Sequence, residues 1–363
     1  MLTITHKLDT MRALKRLLAL WVGGTMAAGA GALWAAGRAR PVPPGEDTPD
    51  PPADLPPARI VAVPGHGEMF IREAQGPRLD APTVLLLHGW MFPADLHWFT
   101  SYRALSAFVH VVAADYRGHG RGPRPSQPFR LTDVADDAAA LVRTLGTGPV
   151  IAVGYSMGGP VAELLWQRHP DVVRGLVLCA TSATFNVTPG DRWRWRAMGL
   201  LQVLMRLLPR HWWERLTRAV VDQRLPLQLT RLIDVRMSPE LQSLVPWMIG
   251  EADRGSAEDI AEAGRELSRF DARGWLPTVD VPTAVVITKR DKLVPLDNQR
   301  DLVTRLRAPE VFELDVDHDA MITAADQFVP ALVSAVRGVA EAPAAGAVGA
   351  PTGAPVRSGT RNN

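Results

Sequence analysis

The feature that most restricts the fold is the stretch Val150-Ile151-Ala152-Val153 running into Gly154-Tyr155-Ser156-Met157-Gly158. The four apolar residues read as a buried parallel strand. The next five fit G-x-S-x-G. Val161-Ala162-Glu163-Leu164-Leu165-Trp166 then has helical periodicity. Strand, tight turn and helix is the context this motif needs, because the turn lifts the serine hydroxyl out at the top of a sheet. Gly154 and Gly158 allow the strand and helix backbones to approach. Pro160 falls in the first helical turn, where a missing N–H costs nothing.

Strand-like runs recur along the chain. Arg59–Val63 and Met69–Glu73 flank Pro64-Gly65-His66-Gly67 as a hairpin, with His66 expected to be solvated at its turn. Further runs lie at Thr83–Leu87, Val109–Ala114, Leu176–Ala180, Ala284–Thr288 and Val311–Leu314, with helical stretches such as Asp133–Leu145 between most of them. This alternation predicts an α/β protein, a mostly parallel sheet with helices on both faces. It breaks over residues 183–275, which read as an inserted helical cap holding Trp193, Trp195, Trp212, Trp213, Trp247 and Trp275. The first part of the sheet domain then covers 58–182 and the second 276–338.

The ends have a different character. Leu17 to Gly37 carries no charge and is long enough to cross a bilayer. His6, Lys7, Arg12, Lys15 and Arg16 precede it and only Arg38 and Arg40 follow, which places the globular part outside the cytoplasm. Residues 1–40 therefore read as a membrane anchor. The alternative is a signal segment cleaved at Ala28-Gly29-Ala30 or Ala30-Gly31-Ala32, giving a secreted protein. The apolar run continues past both sites to Ala36, which favours the anchor. Residues 41–57 form a Pro-rich linker, and 339–363 an Ala/Gly/Pro-rich tail expected to be disordered.

A net charge of +2 gives no electrostatic case for nucleic acid. Cys179, the single cysteine, lies in an apolar strand and reads as a core residue. No metal-binding motif or phosphate loop is present, and no cofactor is expected.

Four further segments carry a resemblance. They are Leu85-Leu86-Leu87-His88-Gly89-Trp90, Ala114-Asp115-Tyr116-Arg117-Gly118-His119-Gly120, Thr288-Lys289-Arg290-Asp291-Lys292-Leu293-Val294-Pro295 and Val316-Asp317-His318-Asp319. With the serine turn they resemble, in order, the parts of a serine-dependent α/β-hydrolase of the esterase and lipase kind. The resemblance implies Ser156 as nucleophile, His318 as its base and Asp291 as the acid that orients the histidine. It implies backbone N–H groups of Trp90 and Met157 as the oxyanion hole. His88, His119 and Asp115 match structural loops. The position some relatives use for the acid, after the sixth strand, here reads Cys179-Ala180-Thr181-Ser182 and lacks a carboxylate. Asp315, Asp317 and Asp319 crowd His318, but they leave the same strand end, so Asp291 is preferred. Asp317 stands where relatives often have glycine, so the histidine loop is open to a different shape.

The implied activity is hydrolysis of a carboxylic ester, small-molecule or lipid, through an acyl-enzyme. An acyltransferase or thioesterase using the same triad stays open, as does a ligand receptor on the same fold. Phe185–Arg236 has ten arginines against Asp191, Glu214, Asp222 and Asp234. With the tryptophans, this suggests a cap that lines an apolar pocket and has one face suited to lipid.

Overall fold

The computed structural model describes residues 50–343, apart from 188–238 and the single positions 125, 253 and 256. Strands β1 (Ala58–Val63), β2 (Gly67–Ala74), β3 (Thr83–Leu87), β4 (His110–Ala114), β5 (Val150–Tyr155), β6 (Val173–Cys179), β7 (Thr283–Thr288) and β8 (Glu310–Leu314) form one 8-stranded sheet in the order β1-β2-β4-β3-β5-β6-β7-β8. The β1–β2 hairpin and the β2–β4 pair are antiparallel. Every later pairing is parallel.

Every residue of β3 and β5 is buried, as unbroken apolar runs require when helices cover both faces. The strand period of two divides them between two cores. Leu85, Leu87, Ala152, Leu176, Leu178, Val285 and Ile287 face one way. Val84, Leu86, Ile151, Val153, Val177, Cys179 and Val286 face the other. Each large side chain buried this way contributes about 1.5–3 kcal/mol.

On the first face lie α3 (Leu131–Leu145) and α4 (Gly158–Arg168). Helix α3 buries Leu131, Val134, Ala135, Ala138, Leu141 and Val142, a stripe at helical spacing. It ends at Gly146, whose φ of 64° lets its N–H cap the Val142 and Arg143 carbonyls. On the second face, α10 (Ala325–Glu341) buries Phe328, Leu332, Ala335, Val336 and Val339. This helix continues past residue 338, where the sequence suggested the tail begins, because Val339 still belongs to the core. At the other end, Pro56 is buried and its carbonyl accepts from Arg72 Nη1 at 2.7 Å, so the last residues of the Pro-rich segment are docked. His66 is not simply solvated: its Nδ1 lies 2.7 Å from Asp137 Oδ1.

Two short helices, α1 (Ala94–Trp98) and α2 (Tyr102–Ser106), follow β3. The described part of the insertion between β6 and β7 is helical: α5 (Pro239–Ser243), α6 (Val245–Ala252) and α7 (Ala257–Leu267). Trp247 and Met248 of α6 pack on Leu96 and Phe99, at and just beyond α1. The insertion returns to the sheet at a neck, where Ala272 N–H donates to the Ala183 carbonyl at 2.9 Å and Thr184 bridges Asp271. Helix α8 (Leu296–Arg305) and the short α9 (Ala320–Thr323) complete the described α-helices.

Trp193, Trp195, Trp212 and Trp213, the uncharged run 17–37 and residues 344–363 lie outside the described residues. Among the described residues, no helix is long and apolar enough to cross a membrane.

Candidate active site

The turn after β5 explains its own composition. Ser156 has φ 54°, a left-handed conformation that costs a non-glycine residue energy and that the surroundings must hold. They do so through its backbone. Ser156 N–H donates to the Cys179 carbonyl at 2.9 Å, and its carbonyl accepts from Thr181 Oγ1 at 2.8 Å. A Cβ on Gly158 would run into the Leu87 carbonyl, and one on Gly154 into the Gly158 carbonyl. Only glycine lets β3, β5 and α4 come this close. Thr181 therefore fills the strand end that offered no carboxylate, and it acts on the serine backbone.

Ser156, His318 and Asp291 meet at the ends of β5, β8 and β7. His318 Nε2 is 3.0 Å from Ser156 Oγ, and His318 Nδ1 is 2.7 Å from Asp291 Oδ2. An ionised carboxylate only accepts, so Nδ1 carries the proton and the Nε2 lone pair faces the serine hydroxyl. The Asp291 side chain is fully buried. Its Oδ1 accepts from Leu293 N–H and Val294 N–H, each at 2.8 Å, and its Oδ2 also accepts from Thr288 Oγ1 at 2.8 Å. A buried carboxylate needs this many donors to stay charged. Gln299 knits the loop, donating through Nε2 to Val294 O at 2.8 Å and accepting the Thr288 N–H through Oε1 at 3.0 Å.

The histidine loop is held by its own groups. Tyr155 donates its hydroxyl to the His318 carbonyl, and its ring meets the imidazole edge-on with centroids 5.7 Å apart. Asp317 stays outside the line of Ser156, His318 and Asp291. Its Oδ1 accepts the His318 N–H at 2.8 Å and the Lys292 N–H at 3.3 Å, and it pairs with Lys292 Nζ at 3.1 Å. Burial pushes its pKa up, but those donors outweigh burial and hold it below the ordinary value. The carboxylate in the usual glycine position thus ties the histidine loop to the acid loop. Asp315 pairs with Arg290, also away from the histidine ring.

The turn after β3 carries Trp90. His88 is fully buried and stacks on Tyr116 at 3.7 Å. Its Nδ1 bonds the Gly89 carbonyl at 2.8 Å, and its Nε2 accepts the Tyr116 N–H at 3.1 Å. Burial holds its pKa well below the ordinary value, so it is a neutral clamp. A peptide unit is planar and trans, so fixing the Gly89 carbonyl aims the Trp90 N–H in the opposite direction. Met157 precedes α4, where helix-terminal N–H groups lack intrahelical acceptors and the dipole favours an anion. Both residues suggested as oxyanion donors thus sit in turns built to present an N–H.

Asp115 braces the neighbouring loop, accepting Ala94 N–H at 2.7 Å and Arg121 N–H at 2.8 Å. Burial raises its pKa to about 6 against those bonds. Burial lowers His97 and His119 to about 4. Cys179 is buried, and burial pushes its thiol up. Among the described residues, no group of His, Cys, Asp and Glu is placed to hold a metal ion. Sequence reasoning missed Tyr155, Thr181, Thr288 and Gln299. Tyr155 is the second residue of the serine motif and was within reach, but the other three carry no local pattern.

The model of the Alpha/beta hydrolase family matches residues 84–331. The AB hydrolase superfamily protein YisY of Bacillus subtilis is 24% identical over 248 residues, covering 68% of this chain and 86% of that protein. A pimeloyl-[acyl-carrier protein] methyl ester esterase of Neisseria meningitidis is 29% identical over 266 residues, covering 72% and 78%. Among solved structures, the enol-lactonase from Burkholderia xenovorans LB400 superposes with a TM-score of 0.62 at 24% identity, covering 77% of this chain and 100% of that one. A bacterial membrane phospholipase A does so at 0.60 and 22%, covering 92% and 99%. These structural likenesses show the fold. The chain belongs to the alpha/beta hydrolase family.

Proposed function

From membership of a family whose relatives of this chain include esterases, we propose that the protein is a serine hydrolase that cleaves carboxylic esters through an acyl-enzyme. The observation that carries this reading is the continuous line Ser156 Oγ, His318 Nε2 and Nδ1, Asp291 Oδ2, with steps of 3.0 and 2.7 Å. Ser156 attacks the ester carbonyl as His318 takes its proton. The N–H groups of Trp90 and Met157 stabilise the oxyanion, and His318 returns the proton to the leaving alcohol. Water, activated by the same histidine, then releases the acid. The Neisseria relative, a pimeloyl-[acyl-carrier protein] methyl ester esterase, supports a carboxylic ester as substrate. We place the insertion over the site as the wall that selects acyl length, and the uncharged run 17–37 as an anchor to the outer face of a cytoplasmic membrane. The second of these rests on the run's length and flanking charges alone.

A fluorophosphonate probe labels the wild type and fails on Ser156→Ala, and equal labelling of both would overturn the nucleophile assignment. Turnover of an acyl-length series of esters, with and without added alcohols and thiols, separates hydrolysis from acyl transfer. Products formed only with an acceptor would replace the hydrolase reading with the transferase one. Absence of any turnover, with a ligand still bound, would favour a receptor. Membrane fractionation followed by protease shaving tests the anchor, and a mature chain starting near residue 31 or 33 in the medium would refute it.

A further inference from the structure

The turn that carries Trp90 is gripped from two directions. From inside the fold, His88 holds the Gly89 carbonyl at 2.8 Å. From the insertion, the Ile260 carbonyl in α7 accepts the Trp90 indole N–H at 2.6 Å, a contact across 170 positions of sequence. The next residue, Met91, has φ 76°, so the turn holds a conformation that an ordinary side chain resists. The insertion closes on that point too, since a Cβ on Gly255 would lie 3.8 Å from the Met91 carbonyl. Beyond the turn, Leu96 and Phe99 pack on Trp247 and Met248 of α6.

We infer that Trp90 is a positioning residue through its side chain, and that its indole bond to Ile260 makes the insertion a determinant of transition-state stabilisation as well as of access. The inference rests on the ester-hydrolase reading above. The physical link is short. Anchoring the indole fixes the Cα–Cβ direction of Trp90, which removes the freedom its φ would otherwise have. Its own N–H is then held where the oxyanion forms. An oxyanion donor acts only if it is aimed before charge develops, because reorientation during the step consumes the stabilisation it provides. An insertion displaced by a poorly fitting substrate would release the indole and loosen the donor, so a wrong acyl chain would lose rate as well as affinity.

The test uses the full chain and two replacements at one position. Trp90→Phe keeps an aromatic ring and removes the donor. Benzothienylalanine placed at position 90 keeps the indole shape with sulfur in place of N–H, and it carries the test if the phenylalanine variant folds poorly. Complete loss of an oxyanion donor lowers kcat about 100–1000-fold, so a loosened one should lower it about 10–50-fold, with KM within about twofold. The inhibition constant of a trifluoromethyl ketone, whose tetrahedral adduct needs the same donors, should weaken by the same factor. Rates are taken per fluorophosphonate-reactive site, so a merely structural role would lower Tm and the active fraction while leaving kcat per site unchanged. Unchanged kcat in the isostere would overturn the inference, as would a loss confined to KM. If the wild type turns over no ester, the functional reading falls first and this one with it.

Discussion

The two halves of the site are held by different means. The serine half is fixed at the backbone of Ser156, which lies between the Cys179 carbonyl and the Thr181 hydroxyl in a turn so tight that Gly154 and Gly158 have no room for a Cβ. The half around Trp90 is fixed largely by side-chain bonds, from His88 within the fold and across the boundary with the insertion. Trp90 bonds Ile260, the Phe129 N–H donates to Glu262 at 2.7 Å, and Arg121 forks onto Glu251 at 2.7 and 2.5 Å. Backbone restraints of the first kind leave little to tune. Side-chain restraints of the second kind let the insertion vary its grip without touching the nucleophile. One half is scaffold and the other is adjustable.

That contrast is sharpest for the chemistry itself. Ser156→Ala and His318→Ala should each lower kcat about 10^5–10^6-fold, because members of such a unit fail together. Asp291→Asn should cost about 10^4-fold, through the wrong imidazole tautomer. A silent Asp291→Asn with a dead Asp317→Asn would move the acid to Asp317. Initial rates on a short ester check all four variants.

The insertion side breaks differently. Glu251 is 2% exposed and is also bonded by Arg254 at 2.9 Å, while Arg121 keeps Asp95 at 3.7 Å. Removing one partner of a buried pair costs about 3–5 kcal/mol, and the remaining Asp95 should hold Glu251→Gln to the low end of that range in denaturant unfolding. Its folded fraction should still label at Ser156, since the serine turn does not depend on the insertion. Loss of labelling in proportion to loss of catalysis would erase the distinction between the halves.

Beside the serine turn, Glu163 of α4 is fully buried, and neither carboxyl oxygen has a partner among the described residues. Burial pushes its pKa well up, so the folded chain holds this proton to higher pH than the unfolded chain does. Stability therefore falls as pH rises above the ordinary carboxyl value. Glu163→Met should stabilise by about 1–3 kcal/mol at pH 7 and by less near pH 4, in urea unfolding at both values. A destabilised variant would show that this helix needs the acid.

The histidines tilt stability the other way. Burial depresses His97 and His119 from 6.5 to about 4, so they stay neutral in the fold while the unfolded chain takes up protons. Their contribution is complete above pH 6.5 and is lost as pH falls toward 4. Each supplies a slope of about 1.4 kcal/mol per pH unit across that window. His119→Phe should remove one such slope between pH 6.5 and pH 4, and an unchanged slope would mean that His119 titrates normally.

What could be read in advance follows the same division. The strands, the alternation and the serine turn were legible because each is written in consecutive residues: apolar runs, a glycine on either side of a serine, a helical stripe in 131–145. Asp291 and His318 were legible because each lies in a motif at a strand end. Gln299 and Thr288 were not, since their task is to surround Asp291 and no spacing announces it. Nor were Arg121–Glu251 and Trp90–Ile260, which join segments 130 and 170 positions apart. The extent of α10 was underestimated because Val339 sits in an Ala/Gly-rich stretch and packs only in three dimensions.

The left-handed φ of 54° at Ser156 also decides which reactions this scaffold could be converted to. A branched Cβ is disfavoured at that conformation, so threonine, otherwise a workable nucleophile, is barred from the position whatever base stands beside it. Aspartate and asparagine enter that region far more readily, and cysteine adds no branch. The position is therefore a socket with a shape rule: it accepts an alcohol, a thiol or a carboxylate on an unbranched Cβ. Exchanging serine for cysteine changes the acyl intermediate from an ester to a thioester, and a carboxylate there forms an alkyl ester only with a substrate that offers a saturated carbon bearing a leaving group, while the sheet beneath stays as it is.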